Sequence, residues 1–69
     1  MKKPNVGDEA YCHGHTKVYG TFLVVKVLPQ KPNSLGYACE GIYTEHSTGV
    51  SSKDERHVRW STKEKEWRT

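Results

Sequence analysis

The chain has 69 residues with eleven basic and eight acidic side chains, which gives a formal net charge of +3. A chain this short buries only about 60% of the surface that its unfolded form exposes, so its core is thin and a deep catalytic cleft is disfavoured. We therefore expect a binding domain with no enzymatic activity and no cofactor. The modest charge also argues against a dedicated nucleic-acid binder, which usually carries a denser basic face.

The apolar runs of the sequence bear on the cellular location of the protein. No apolar region follows Lys2 and Lys3, so the sequence predicts no secretory signal. The longest apolar run, residues 22–25, is far too short to cross a bilayer. We predict a cytoplasmic protein without membrane contact, whose two cysteines stay reduced.

Turn signals and alternating side chains predict five short strands along the chain. Each is either rich in β-branched and aromatic residues or alternates between apolar and polar ones. In chain order the predicted strands are residues 8–13, 20–28, 37–44, 50–52 and 57–60. Residues 29–36 are predicted as a loop, 45–49 as a hairpin turn and 53–55 as a tight turn.

Two details of these strands bear on the shape of the molecule. Gly41 lies inside the third strand and predicts a bulge or a sharp bend. In the second strand, Phe22 and Val24 lie on the face opposite to Leu23 and Val25. The protein is predicted to be a monomer or a homodimer, and the face that carries Phe22 and Val24 is the predicted dimer interface.

The C-terminal segment, residues 61–69, allows two interpretations. Ser61 and Glu64 have the spacing of a capping box, which predicts a short C-terminal helix. A helix this short is marginal unless it packs, and Trp67 could supply that packing. The alternative is a frayed tail. In either case the sequence predicts one domain, with its core at about residues 6–60.

Short strands, no long helix and glycines at the bends predict a mainly β fold, a small and strongly curved antiparallel barrel. Val6-Gly7-Asp8 precedes the first strand, and the Gly14-His15-Thr16-Lys17 segment is followed by Gly20-Thr21-Phe22. With the later strands up to Trp60, this pattern resembles SH3-like barrels of the KOW and Tudor type. The resemblance implies an adaptor for nucleic acid, ribosomes, RNA polymerase or other proteins. In size and style the chain is also similar to small bacteriophage and prophage proteins.

Aromatic and basic side chains form the main candidate binding site. The chain has more rings than one thin core holds, so some are expected at the surface beside cations. Exposed Tyr, Trp and Arg suit a protein-binding hot spot, and they equally suit bases and phosphates. An aromatic cage for a methylated cation is a third option. The candidate binding residues are Tyr11, Lys17, Tyr19, Phe22, Lys26, Tyr43, Arg56, Arg59 and Trp60.

Cysteine and histidine residues offer a weaker hypothesis. Zinc prefers thiolate and imidazole ligands, and the best candidates are Cys12, His15 and Cys39. The paired ligand spacings typical of zinc sites are missing. We therefore predict no metal site.

Two functions stay open, and the modest net charge decides their order. The sequence ranks a protein-binding module slightly ahead, an adaptor or inhibitor that docks on a larger host protein. A partner strand could also add to an exposed sheet edge. The alternative is a nucleic-acid or ribonucleoprotein-binding accessory domain, whose binding would depend strongly on salt.

Overall fold

Five strands close into a barrel in the computed structural model, which describes residues 2–69. The strands are β1 (Glu9–His13), β2 (Val18–Val27), β3 (Tyr37–Glu45), β4 (Ser51–Ser61) and β5 (Glu66–Arg68). Consecutive strands pair antiparallel, and β5 returns to pair with β1 in parallel. The predicted small, mainly β barrel is confirmed, and it is compatible with an SH3-like barrel. None of the described residues forms a helix long and apolar enough to span a membrane.

The core is a single layer of side chains from alternating strand positions. Ala10 and Cys12 of β1 point inward, as the alternation predicts. Phe22 is 0% exposed, whereas its neighbour Leu23 is 41% exposed. Phe22 pairs with Tyr43 across β2 and β3, so both rings face the interior.

The prediction that Phe22 binds a partner is therefore wrong, and so is the predicted dimer interface on Phe22 and Val24. Both side chains lie in the core, out of reach of any partner. The outward face of β2 instead carries Leu23 and Val25, which are both exposed. Both faces of this strand are apolar, so alternation alone could not tell which one turns inward.

A bulge in β2 bends the barrel opposite Gly41. Val24 pairs with Gly41 and Lys26 pairs with Glu40, which leaves Val25 as the extra residue. A Cβ atom on Gly41 would lie 2.1 Å from the carbonyl oxygen of Leu23. The irregularity predicted at Gly41 is therefore present, with the extra residue on the facing strand.

One continuous strand replaces the predicted short strand, tight turn and final strand at residues 50–60. β4 pairs with β3 along residues 51–58, without a break at residues 53–55. The polar run at 53–55 was predicted as a turn because of its composition. In the strand, Lys53 and Glu55 are exposed, so solvent hydrates them and nothing interrupts the strand.

A turn and a strand form where the sequence predicted a short helix or a frayed tail. The hydroxyl oxygen of Ser61 accepts a hydrogen bond from the Glu64 backbone N–H at 3.2 Å, so the capping contact is present. Lys65 then takes a φ of 55°, which ends the turn. β5 follows, and its Trp67 is only 6% exposed. Trp67 does pack against the barrel, but from a strand and not from the short helix.

Because β5 is short, the seam between β1 and β4 is only partly paired. β4 pairs with β5 through residues 59–61 alone, and β5 pairs with Ala10 and Tyr11 of β1. Along residues 51–58, β4 has no second strand neighbour within the described part of the chain. The Arg56 side chain crosses this gap, and its Nη1 donates to Cys12 Sγ at 3.6 Å.

Candidate anion-binding groove at the barrel seam

A groove of about 440 Å³ lies over the seam, where β4, β5 and β1 meet. Its polar lining consists mainly of three guanidinium groups and two imidazoles, and no Asp or Glu side chain of residues 2–69 lines it. The lining residues are His13, Leu35, Arg56, His57, Arg59, Arg68 and Thr69. Guanidinium groups bind phosphate and carboxylate oxygens in a planar, often bidentate geometry. The groove is therefore suited to an anion.

Strand register places two arginines side by side in this groove. Arg59 of β4 pairs with Arg68 of β5, and Arg68 pairs on its other side with Tyr11 of β1. Like charges directly opposite each other repel across a sheet, and Glu64 and Glu66, which pair with Arg68, offset only part of this repulsion. A bound anion would offset that repulsion. Tyr11, which is 37% exposed, adds a ring to the same row.

Glu66 orients two of the lining side chains from beside the groove. Its Oε2 accepts a hydrogen bond from His13 Nε2 at 2.9 Å and another from Arg68 Nε at 3.4 Å. The hydrogen bond from His13, with the charge of Arg68 nearby, lowers the pKa of Glu66. Glu66 is thus ionised at neutral pH and holds His13 and Arg68 in place.

Arg56 is fixed in a similar way at the open part of the seam. Its Nε donates to Asp54 Oδ2 at 2.6 Å, and its guanidinium carbon lies 4.3 Å from the centroid of the Tyr43 ring. The hydrogen bond from Arg56 lowers the pKa of Asp54, with a smaller contribution from the Glu55 backbone N–H.

Arg59 differs from the other two arginines of the groove. It is exposed, and within residues 2–69 no carboxylate lies at ion-pair distance from it. An arriving anion would not have to displace a partner from this guanidinium. Arg59 is therefore the strongest single candidate for ligand contact.

The structure separates the predicted binding residues into groups. Arg56 and Arg59 line the groove, Tyr11 borders it, and Trp60 lines an adjoining cavity. Lys17 and Tyr19 line a separate cavity, and Tyr43 packs between Tyr19 and Arg56. Lys26 is exposed on β2, and Phe22 is in the core.

Sequence reasoning missed His13, His57, Arg68 and Leu35. The alternation within residues 57–60 places His57 on the same face as Arg59, so that one signal was available. Arg68 could not be placed, because its position depends on a strand that the sequence did not predict. Leu35 reaches the groove from the loop between β2 and β3.

The cysteines do not form a metal site with the predicted histidine. Cys12 and Cys39 are both fully buried, whereas His15 lies in an exposed loop. Within residues 2–69 no group of three or more His, Cys, Asp or Glu side chains could hold a metal ion. Burial raises the pKa of both thiols, so neither is a thiolate at neutral pH.

The geometry of the groove is the basis on which a function can be argued for this chain. No protein-family model matches it, and neither the curated proteins nor the solved structures give a significant match.

Proposed function

We propose that this protein is a nucleic-acid-binding module that holds a phosphate backbone in the groove over the seam. The observation that carries the proposal is the pairing of Arg59 with Arg68 in a groove that no acidic side chain of the described residues lines. Phosphate contacts from arginine supply most of the affinity in such complexes. The exposed ring of Tyr11 lies beside Arg68 in the same row.

The distribution of charge supports this function more strongly than the net charge does. Glu40 and Glu55 pair across β3 and β4, away from the groove, so part of the acidic charge lies elsewhere on the surface. At the groove, Asp54 pairs with Arg56, and Glu64 and Glu66 pair with Arg68. Within residues 2–69 Arg59 has no such partner, so it supplies the uncompensated positive charge there. This favours nucleic acid over the protein partner that the sequence ranks first.

Binding of a labelled oligonucleotide, followed by fluorescence anisotropy between about 50 and 200 mM salt, tests the proposal. We expect Arg59→Ala to weaken binding about tenfold and to reduce the salt slope by about one. Arg68→Ala should act in the same direction. Lys53→Ala is the matched control, because it removes one positive charge from β4 outside the groove.

Two results would contradict the proposed function. One is affinity that stays the same across the salt series. The other is an equal loss of affinity in Arg59→Ala and Lys53→Ala, which would mean that net charge alone attracts the nucleic acid.

A protein partner is the second candidate, and a different surface supports it. Leu23 and Val25 are 41% and 50% exposed on the outer face of β2, and Leu23 pairs with the half-buried Ile42 of β3. An adaptor or inhibitor could dock a larger host protein on this apolar strip. Capture from a bacterial lysate, with and without nuclease, separates the two functions. One dominant protein that is retained after nuclease treatment would favour the adaptor.

Kinship with KOW and Tudor barrels and a bacteriophage origin belong to the same proposal. The kinship is supported by the residue pattern from Gly14 to Phe22, together with a barrel of compatible architecture. The bacteriophage origin is supported by the small size of the chain alone. A cytoplasmic location is part of the same proposal.

A further inference from the structure

A second cavity, of about 370 Å³, adjoins the groove and shares Arg59 with it. Its walls combine two aromatic rings, two cations and two polar side chains from the loop between β2 and β3. These residues are Tyr37, Trp60, Lys2, Arg59, Asn33 and Ser34. The volume lies within the range of about 300–1,000 Å³ that is typical of small-molecule sites.

We propose that this cavity receives one unpaired base of a nucleic-acid strand whose phosphates lie in the groove. The inference rests on the proposed function and adds to it, because it makes the ligand single-stranded. A base that is paired within a duplex cannot enter a side cavity without leaving its stack.

The charges in the cavity argue for a ring on an anionic chain. Among residues 2–69, Lys2 and Arg59 are the only charged residues in its lining, and both are cations. A positively charged ligand would be repelled by them. A nucleobase is uncharged and arrives with a phosphate, so its ring can stack on Trp60 while the phosphate meets Arg59.

The Trp60 ring is both anchored and accessible. It packs edge to face against Trp67 of the core, with ring centroids 5.2 Å apart and an interplanar angle of 74°. The Lys2 ammonium lies 3.4 Å from the centroid of the Trp60 ring. The ring is therefore open enough for a polar group to reach it. A base that stacks there displaces Lys2, and the released ammonium becomes available to a phosphate.

The loop wall of the cavity supplies hydrogen-bonding groups in a fixed place. Asn33 Oδ1 accepts a hydrogen bond from the Leu35 backbone N–H at 2.8 Å, which leaves the amide nitrogen of Asn33 to donate to a base. Gly36, with a φ of 106°, approaches the carbonyl oxygen of Val58 so closely that a Cβ atom would lie 2.2 Å from it. This close approach holds the loop against β4.

The first test compares oligothymidylate with an abasic strand of the same length and charge. Unmodified protein should bind oligothymidylate about tenfold more tightly than the abasic strand, because stacking is available only to the first. A duplex of the same length should not quench tryptophan emission, because its bases are paired. Trp67 is buried, so quenching of tryptophan emission by oligothymidylate but not by the abasic strand would place the contact at Trp60.

The second test changes Trp60 itself. Trp60→Leu keeps an apolar side chain against Trp67 but removes the stacking surface, and Trp60→Phe retains a ring. Trp60→Leu should lose the roughly tenfold preference for oligothymidylate and keep its affinity for the abasic strand, and Trp60→Phe should keep most of the preference. Circular dichroism and a thermal melt check that both variants fold.

The outcomes separate this inference from the function on which it rests. Equal, salt-dependent binding of the oligothymidylate and abasic strands would overturn the base cavity and leave the phosphate groove standing. Failure of both strands to bind would overturn the proposed function as well. An unchanged preference in a folded Trp60→Leu variant would also overturn the cavity.

Discussion

At the scale of single residues, close backbone approaches decide what this barrel tolerates. Gly41 lies against the carbonyl of Leu23 and the ring of Phe22, where an added Cβ atom would lie 2.1 Å and 2.8 Å from its neighbours. The nearer contact is with backbone, which cannot rotate away as a side chain can. The requirement for glycine is therefore set by the packing of β3 on β2.

Replacing Gly41 with alanine should lower the free energy of unfolding by about 3 kcal/mol, because the strands must move apart. Gly49 provides the comparison, since its φ is 71° but nothing lies within 4 Å of an added Cβ atom. Gly49→Ala should cost only about 1 kcal/mol, from backbone strain. Urea denaturation measures both. Equal losses in the two variants would contradict the packing argument.

Several individual residues could be predicted from the sequence because their signals are local. Ala10 and Cys12 follow from alternation, the bend at Gly41 from a glycine inside a strand, and the cap at Ser61 from its spacing to Glu64. Phe22 could not be placed correctly, because Leu23 and Val25 make the other face of its strand equally apolar.

At the scale of elements, the short strand β5 depends on a reversal at Lys65. A φ of 55° costs a residue with a side chain about 1–2 kcal/mol, which glycine avoids. The turn between β4 and β5 is thus strained, and the pairing of Trp67 with Trp60 stabilises it.

Lys65→Gly should therefore stabilise the protein, by about 0.5 kcal/mol after allowing for the greater flexibility of glycine in the unfolded chain. Lys63→Gly is the matched control in the same turn. Lys63 has no positive φ, so glycine there brings the flexibility without relieving strain. We expect Lys63→Gly to lower the thermal midpoint while Lys65→Gly raises it. The opposite order would show that Lys65 makes a contact that outweighs its strain.

The last two elements were the least predictable part of the fold. Residues 53–55 have the composition of a turn, and β5 has only three residues, so neither carries a local strand signal. Their pairing is decided by distant partners, since β5 joins β1 to β4. For the same reason the sequence indicated Arg56 and Arg59 of the groove but not Arg68.

At the scale of the whole molecule, two charged networks tie the seam together. Arg56 joins Asp54 on β4 to Cys12 on β1. Glu66 on β5 joins His13 on β1 to Arg68. Both networks depend on an ionised carboxylate, so the closure of the barrel is linked to pH.

The pKa values of Asp54 and Glu66 are both lowered in the folded state, from ordinary values of about 4. A carboxyl group whose pKa is lower in the folded state than in the unfolded state stabilises the protein. This stabilisation is complete above the pKa of the unfolded state and is lost as the pH falls through the pKa of the folded state. We therefore expect the contribution of these two carboxyl groups to the free energy of unfolding to be constant above about pH 5.5. It should decrease progressively below about pH 4.

Urea denaturation at neutral and acid pH tests this dependence. The double variant Asp54→Asn, Glu66→Gln should be less stable at neutral pH and should lose less on acidification than the unmodified chain. Glu55→Gln is the control, because its exposed side chain takes part in no ion pair within residues 2–69. A double variant with an unchanged acid profile would contradict the assignment.

The parallel pairing of β1 with β5 also has a kinetic consequence. It joins Ala10 to Trp67, near opposite ends of the chain, while β2, β3 and β4 are linked by short connections. Contacts between distant segments carry the larger loop-closure entropy and slow the folding of β proteins. We expect the hairpins to form early and the seam to close last. A nascent chain in which β5 has not yet paired then has no groove. Only the completely folded protein would therefore bind the ligand.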